Sequence, residues 1–178
     1  MKHFPWWIVT FVLLIGCAVG PDMRDFEGKV TEETPFDHKY IRVQRQMRKA
    51  AKFKNKRDKK GQDYWQTPEE TEERGTGDCE DKALWVYYKL FNQGFNVRLV
   101  LGGMYEWVSK TNTMTYCHCW TQWYTPRGIY ILDPGQKSRV LPATSTNRMK
   151  YHPWYSWQGD KRWKHDRRAG MTILGIGN

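Results

Sequence analysis

The chain has 178 residues, which is enough for one domain of ordinary size and excludes two large domains or an α/β barrel. Its apolar content of 39% and aromatic content of 15% exclude a fully disordered chain. The net charge of +10 is local, because residues 37–60 alone carry 11 basic and 2 acidic side chains.

An uncharged segment from Phe4 to Pro21 follows a weakly basic start at Lys2 and His3. Residues 6–15 have the length of a signal-peptide core, whereas a membrane-spanning helix needs ~20 apolar residues. This apolar run ends in Leu14-Ile15-Gly16-Cys17, which is similar to the lipobox of bacterial lipoproteins, where the Cys is acylated and becomes the first residue. We therefore expect residues 1–20 to be a signal peptide of the lipoprotein type, with Cys17 as the lipidation site. Ordinary signal cleavage with an incidental Cys17 and a retained membrane anchor are the alternatives.

Each of these alternatives places the rest of the chain outside the cytoplasm, so we expect an exported protein that is periplasmic or a membrane-anchored lipoprotein. Residues 21–37 contain prolines and scattered acids, which indicates a tether. Residues 38–53 carry apolar side chains at helical spacing, and the nearly all-charged residues 52–61 predict a loop.

The basic residues of positions 42–60 suggest an anionic partner. This stretch either stays solvated or contacts an anionic membrane or cell-wall surface. Lys and Arg at this density could also bind nucleic acid phosphates, but the export signal argues against that partner.

The middle of the chain predicts helices followed by strands. Pro68 suits the first turn of a short helix, which Gly75-Thr76-Gly77 would end. A second helix is predicted from Asp78 to about Asn92. Three β-rich segments follow, separated by polar or Pro/Gly turns: residues 97–107, 116–124 and 128–132. This order predicts an α+β fold with an antiparallel meander, and residues 167–178 are expected to form a flexible tail.

Three residues that could form a catalytic unit follow in chain order. Cys79 lies in the first turn of the second helix, where unpaired N–H groups and the helix dipole stabilise a thiolate and can donate to an oxyanion. His118 is predicted within a strand and Asp133 at the end of the next, so antiparallel pairing would bring Asp133 to the imidazole N–H. Taken singly, Cys79 could be a small buried side chain, His118 a core histidine and Asp133 the start of a turn.

Four features follow one another along the chain: Trp65-Gln66-Thr67-Pro68-Glu69-Glu70, Gly77-Asp78-Cys79-Glu80-Asp81-Lys82-Ala83, the strand that bears His118, and Leu132-Asp133-Pro134. Through these motifs the chain resembles the bacterial transglutaminase-like cysteine proteinases, which belong to the papain-like/transglutaminase superfamily, and the resemblance covers about residues 38–166. It implies a papain-like core in which the nucleophile helix packs on an antiparallel sheet. It also implies a triad in which Cys79 is the nucleophile, His118 the general base and acid, and Asp133 the residue that orients His118.

The reaction that the resemblance implies is acyl transfer through a thioester, which requires no cofactor for the chemistry itself. With water as acceptor, the enzyme is a cysteine peptidase that cleaves a protein substrate. A transglutaminase-type crosslinking acyltransferase and a non-catalytic surface-binding module that retains the fold are the alternatives. Trp65 is a candidate wall of the substrate cleft.

A calcium site is also implied by the resemblance. The best understood members of the family are periplasmic proteases that cut large surface proteins and need calcium, bound by acids that flank the nucleophile. Asp78 and Glu80 stand at those positions. Acidic residues also suit the first turn of any helix, which is the alternative interpretation.

The cysteines on either side of His118 depart from the family pattern. Cys117 and Cys119 should point to one face of their strand and His118 to the other. A Cys-His-Cys metal cluster would need ligands on opposite faces, so core packing is the favoured interpretation. Pairing with another chain in an oxidising compartment is the alternative.

Overall fold

The structure is a computed structural model that describes residues 28–59, 62–108, 111–144 and 150–165. The expected signal peptide with Cys17, the first part of the expected tether and the expected tail at 167–178 lie outside the described residues. The described elements, in chain order, are α1 (Phe36–Ala50), β1 (Lys54–Asn55), α2 (Pro68–Arg74), β2 (Thr76–Gly77), α3 (Cys79–Phe91), β3 (Val97–Val108), β4 (Thr111–Thr125), β5 (Gly128–Leu132), β6 (Leu141–Pro142), β7 (Tyr151–Gln158) and β8 (Lys161–Lys164).

The segment before α1 packs on the domain, which differs from the predicted tether over residues 28–37. Val30 is 9% exposed, and its backbone N–H donates to the carbonyl oxygen of Gln93 at 2.7 Å. Arg42 Nη2 donates to the carbonyl oxygen of Gly28 at 2.8 Å. This packing was not predictable from the sequence, because a single apolar residue, Val30, makes the buried contact within a largely polar segment.

Helix α1 forms because its apolar residues recur at helical spacing, as predicted. Val43, Met47 and Ala50 are fully buried, while the basic side chains point to other sides of the helix. Burying a side chain such as Val43 or Met47 stabilises the fold by roughly 1.5–3 kcal/mol.

Capping residues define where α2 and α3 begin. The Thr67 hydroxyl accepts from the Glu70 N–H, and the Glu70 carboxylate accepts from the Thr67 N–H. Pro68 occupies the first turn of α2, as predicted, and Gly75 ends that helix in the left-handed conformation at φ 61°. Asp78 precedes α3 and donates its backbone N–H to Asp81, so Cys79 is the first residue of that helix.

Six strands form one antiparallel sheet in the order β6-β5-β4-β3-β7-β8. The predicted meander β3-β4-β5 is therefore confirmed. Strands β7 and β8 extend the sheet beyond β3 and were not predicted, because residues 151–164 mix aromatic and basic side chains without a clear period of two.

Helix α3 packs on one face of the sheet with α1 and α2 against it, and the apolar residues divide between the two faces of the sheet. The helix-side cluster contains Val43, Met47, Val86 and Leu90 from the helices together with sheet residues such as Cys119 and Trp123. The opposite face carries a second buried cluster: Val100, Met104, Trp120, Ile131 and Tyr151. This packing is the α+β arrangement that the sequence predicted, with the nucleophile helix on an antiparallel sheet.

The predicted loop at 52–61 contains strand β1, which forms a short parallel pair with β2. Asn55 of β1 pairs with Gly77 of β2, which brings the loop beside the residues that lead into α3. Gly77 is required there because a Cβ atom at this position would lie 2.7 Å from the Asp81 Cβ. None of the described helices has both the length and the hydropathy that crossing a membrane requires.

Candidate active site

Cys79 sits where the sequence placed it, at the first position of α3. Its thiol donates to Glu80 Oε2 at 3.0 Å. The backbone N–H of Cys119 on β4 points to the same sulfur, so the thiol is held between its helix and the sheet. The side chain is half-buried.

The ionisation of this thiol differs from the expectation of a thiolate. The pKa of Cys79 is raised to about 12, chiefly by burial and next by the hydrogen bond to Glu80 and the negative charge of that carboxylate. The Cys119 N–H opposes this rise but does not offset it. The helix dipole lowers the pKa of a thiol at this position, but the Glu80 carboxylate one residue away raises it.

His118 and Asp133 form a buried hydrogen-bonded pair, which the sequence analysis anticipated. His118 Nε2 lies 2.7 Å from Asp133 Oδ2, and the two residues are 3% and 1% exposed. The sheet register explains the contact: Thr121 pairs with Leu132, so Asp133 follows on the same face as His118 at the point where β5 ends. Asp133 thereby fixes the orientation of the imidazole, with Nε2 directed to the carboxylate.

Two further groups hold the Asp133 carboxylate. The Tyr151 hydroxyl donates to Oδ2 at 2.8 Å, and the Gln136 backbone N–H donates to Oδ1 at 3.2 Å. Burial, followed by the charge of Asp133, raises the pKa of Tyr151, which keeps this hydroxyl a donor. Tyr151 is a site residue that the sequence analysis missed, because it lies in a strand that was not predicted.

The other imidazole nitrogen, His118 Nδ1, is buried and has no hydrogen-bond partner among the described residues. His118 and Cys79 line one cavity of about 560 Å³. The remaining residues that line it are Asn55, Arg57, Asp78, Glu80, Tyr116, Cys117, Gly135 and Gln136. The structure therefore brings Cys79 and His118 to one cavity, and Asp133 accepts from the imidazole nitrogen Nε2.

The acids beside Cys79 form a larger cluster than the sequence predicted. Carboxylate oxygens of Asp58, Asp63 and Glu80 all lie within 4.8 Å of one another. Asp78 adjoins Glu80, and its pKa is raised to about 7 by burial and by the hydrogen bond and charge of Glu80. Asp78 Oδ1 is also buried without a partner among the described residues.

These oxygen donors fit a hard divalent cation such as calcium, which binds several carboxylate oxygens at once. An added positive charge would relieve the repulsion that raises the pKa of Asp78. Asp58 and Asp63 were missed because they stand in a lysine-rich segment, and only the β1–β2 pairing brings that segment to α3.

Trp65 and its neighbour lie beside the site rather than on its cavity. Trp65 is half-buried against the helix-side cluster and is not among the residues that line the cavity, so its contact with substrate stays a prediction. The adjacent Gln66 donates its backbone N–H and its side-chain amide to the Asp81 carboxylate at 2.8 and 2.6 Å. Asp81 is 1% exposed and therefore anchors the start of α3 to the Trp65 segment.

Among the described residues, the two cysteines other than Cys79 occupy different environments. Cys119 is buried in the helix-side cluster, which agrees with the core-packing interpretation. Cys117 is exposed and lines the cavity with Cys79. Both are free thiols, as is Cys79.

The fold and this site define a class: a papain-like domain of helices on an antiparallel sheet, with a thiol at a helix N-terminus and a buried His–Asp pair on one cavity. Residues 24–134 match the model of the transglutaminase-like superfamily. This match covers well over half of the chain, which therefore belongs to the transglutaminase-like superfamily. The family and the fold class predicted from the sequence are thus confirmed.

Solved structures of LapG from Legionella pneumophila are similar to this chain. The EGTA-treated form has a TM-score of 0.60 at 26% identity, over 72% of this chain and 68% of that chain. A further LapG structure has a TM-score of 0.58 at 26% identity, over 70% of this chain and 66% of that chain. The calcium-bound form has a TM-score of 0.58 at 24% identity, over 74% of each chain. Curated protein sequences give no match to this chain.

Proposed function

We propose that this protein is a cysteine peptidase that cleaves a protein substrate through an acyl-enzyme thioester. The observation that carries the proposal is the cavity that Cys79 and His118 both line, with the His118 imidazole held by Asp133. A nucleophile, a base and a residue that orients the base are the parts that thiol acyl transfer needs.

The proposed chemistry assigns each residue one role. His118 Nδ1 accepts the thiol proton as the Cys79 sulfur attacks a peptide carbonyl carbon. Collapse of the tetrahedral intermediate breaks the C–N bond, and the imidazolium gives its proton to the leaving amine. His118 next removes a proton from water, which attacks the thioester and releases the carboxylic acid and the free thiol. Asp133, held by Tyr151, keeps the imidazole oriented and stabilises its charged form.

Water is the acceptor we favour, and an amine acceptor is the alternative. The cavity is open to solvent through exposed residues such as Tyr116 and Gln136, so water reaches the thioester directly. A crosslinking enzyme would have to admit a lysine amine in preference to that water. Incubation with a protein substrate plus a labelled primary amine separates the two, because only crosslinking incorporates the label.

We also propose that calcium binds beside the nucleophile. Asp58, Asp63, Asp78 and Glu80 would hold the ion, which extends the predicted pair by two residues. When bound, it supplies positive charge that offsets the mutual repulsion of these carboxylates. LapG, the protein with a similar fold, has been solved in calcium-bound and EGTA-treated forms.

The location and the anionic partner remain proposals as well. We propose an exported protein, periplasmic or anchored as a lipoprotein through Cys17, on the evidence of residues 1–20. The basic stretch 42–60 is proposed to contact an anionic membrane or cell-wall surface. Support comes from a cleft between α1 and α3 that Arg42, Arg45 and Lys49 line. Lys89 also lines this cleft, where it is paired with Glu72 at 2.7 Å.

The proposed function is tested with Cys79→Ala in the full chain. Cleavage of exported surface proteins by the wild type, and none by Cys79→Ala at equal thermal stability, is the expected result. Cys117→Ala is the matched control, since it removes a thiol from the same cavity without removing the nucleophile. Cleavage by Cys79→Ala near the wild-type rate would refute the proposal, and a wild type that binds anionic polymer without cleaving anything would favour the surface-binding module.

A further inference from the structure

Lys82 is a buried charged residue to which the proposed chemistry gives no role. It lies on α3 one turn after Cys79 and is only 4% exposed, which is rare for a lysine. Asp78, Asp133 and Cys79 lie within its electrostatic reach. A buried ammonium group needs hydrogen-bond acceptors, so its partner indicates what this lysine does.

That partner is Asn55, which belongs to the cavity. Lys82 Nζ donates to Asn55 Oδ1 at 3.1 Å. Asn55 lines the cavity together with Cys79 and His118. Its backbone is held on both sides, since Lys54 N–H donates to the Gly75 carbonyl oxygen at 2.9 Å and Lys56 N–H to that of Gly77 at 3.3 Å.

The lysine determines which end of the Asn55 amide is available. An ammonium group has three donors and no acceptor, so only the amide oxygen can face Lys82. The amide NH₂ group of Asn55 is consequently directed away from Lys82. Asn55 therefore offers N–H donors to the cavity that it lines. Its partner in the strand pair, Gly77, precedes Cys79 by two residues.

We propose that Asn55 is a catalytic residue that donates a hydrogen bond to the substrate carbonyl oxygen, and that Lys82 is the residue that positions it. This inference rests on the proposed function. As the Cys79 sulfur bonds to the carbonyl carbon, the π electron pair moves onto oxygen, and the Asn55 N–H stabilises the resulting oxyanion together with N–H groups at the start of α3. When the C–N bond breaks, the pair returns to re-form the carbonyl.

The oxyanion provides a test that separates this role from a general effect on Cys79. Acylation of Cys79 by para-nitrophenyl acetate passes through a tetrahedral oxyanion. Alkylation by iodoacetamide displaces iodide and forms none. Both reactions depend equally on the thiolate, so the ratio of the two rate constants reports on oxyanion stabilisation alone.

The experiment measures both rate constants in the full chain for wild type, Asn55→Ala and the control Asn96→Ala. Asn96 is an exposed asparagine that contacts Gln158, remote from the cavity. Removing one oxyanion donor lowers turnover roughly 10²–10³-fold in enzymes where it has been measured. We expect a fall of about that size in the acylation-to-alkylation ratio for Asn55→Ala and no change for Asn96→Ala.

Lys82→Met tests the positioning role. In the wild-type background it should lower the ratio, and in the Asn55→Ala background it should leave the ratio unchanged, because it acts through Asn55. Lys82→Arg, which retains a donor, should restore part of the loss. If Lys82→Met does not fold, Asn55→Asp decides the question, because its carboxylate still accepts from Lys82 but offers no N–H donor.

The possible failures are distinguishable. A wild type whose Cys79 is alkylated but never acylated would refute the proposed function and this inference with it. A wild type that is acylated, with the same ratio in Asn55→Ala, would overturn only the role of Asn55. An unchanged ratio in Lys82→Met beside a lowered ratio in Asn55→Ala would overturn only the role of Lys82.

Discussion

Replacing Asp133 tests the support of the imidazole, and the structure sets the magnitude. Asp133→Ala removes the acceptor of the His118 Nε2–H and of the Tyr151 hydroxyl, which are both buried. Leaving a buried donor unsatisfied costs about 1–3 kcal/mol. Two such donors give a loss of about 2–6 kcal/mol, which is a large part of the 5–15 kcal/mol that holds an ordinary domain folded.

Asp133→Asn should be far milder, and the difference between the two variants is the informative quantity. The asparagine carbonyl oxygen can still accept from His118 and Tyr151. The asparagine NH₂ group would face the backbone N–H of Gln136, and two donors cannot bond to each other. Because Gln136 is exposed, water can accept from its N–H instead. We expect a loss below about 2 kcal/mol and an imidazole that keeps its orientation.

Urea denaturation measures the free energy of unfolding, and the acylation rate of Cys79 measures the site. Asp160→Ala is the matched control, since Asp160 is an exposed acid in the turn between β7 and β8. Wild-type stability in Asp133→Ala would mean that the buried hydrogen bonds contribute little. Wild-type acylation in a folded Asp133→Ala would mean that His118 needs no orienting carboxylate.

Three further predictions concern the cation, the anchor and pH. Calcium at 100 times its dissociation constant should stabilise the wild type by about 2.7 kcal/mol, and Glu80→Gln should lose this gain in melting temperature; equal gains would exclude the acid cluster as the site. Cys17→Ser should move the protein from the membrane to the soluble fraction, and unchanged fractionation would refute lipidation. Burial lowers the pKa of His165, so the unfolded chain binds more protons below pH ~6.5 and stability should fall as the pH drops from 7 to 5; His165→Gln should lessen that slope, and an equal slope would contradict the argument.

The predictable parts of the fold are those with a regular apolar spacing or with a Pro or Gly that begins or ends an element. Helix α2 was found through Pro68 and Gly75, and strands β3 to β5 through their β-rich segments between turns. The strand pair β1–β2 has only two residues on each side, too few for any period, although it carries Asn55 to the site. Strand β7, which supplies Tyr151, has aromatic side chains on both faces and therefore lacks the apolar–polar alternation that identifies a strand.

The site was predictable where one residue type carries one chemistry. Cys79, His118 and Asp133 are recognisable by type, order and predicted element. Lys82 is not, because a lysine within a helix is ordinarily on the exposed side, and only the tertiary structure shows that it is buried. Residues that act by accepting or donating to another side chain leave no pattern along the chain.

Glu80 links the nucleophile to the acid cluster. Its carboxylate accepts the hydrogen bond of the Cys79 thiol and also lies among the oxygens of Asp58 and Asp63. The favourable effect of a helix N-terminus on an anion reaches ~2 kcal/mol at most, and an adjacent carboxylate acts in the opposite direction. A cation that takes the Glu80 oxygens as ligands competes with the thiol for the same lone pairs. The pKa of Cys79 therefore depends on whether Glu80 accepts from the thiol or binds a cation, and the helix dipole alone does not determine it.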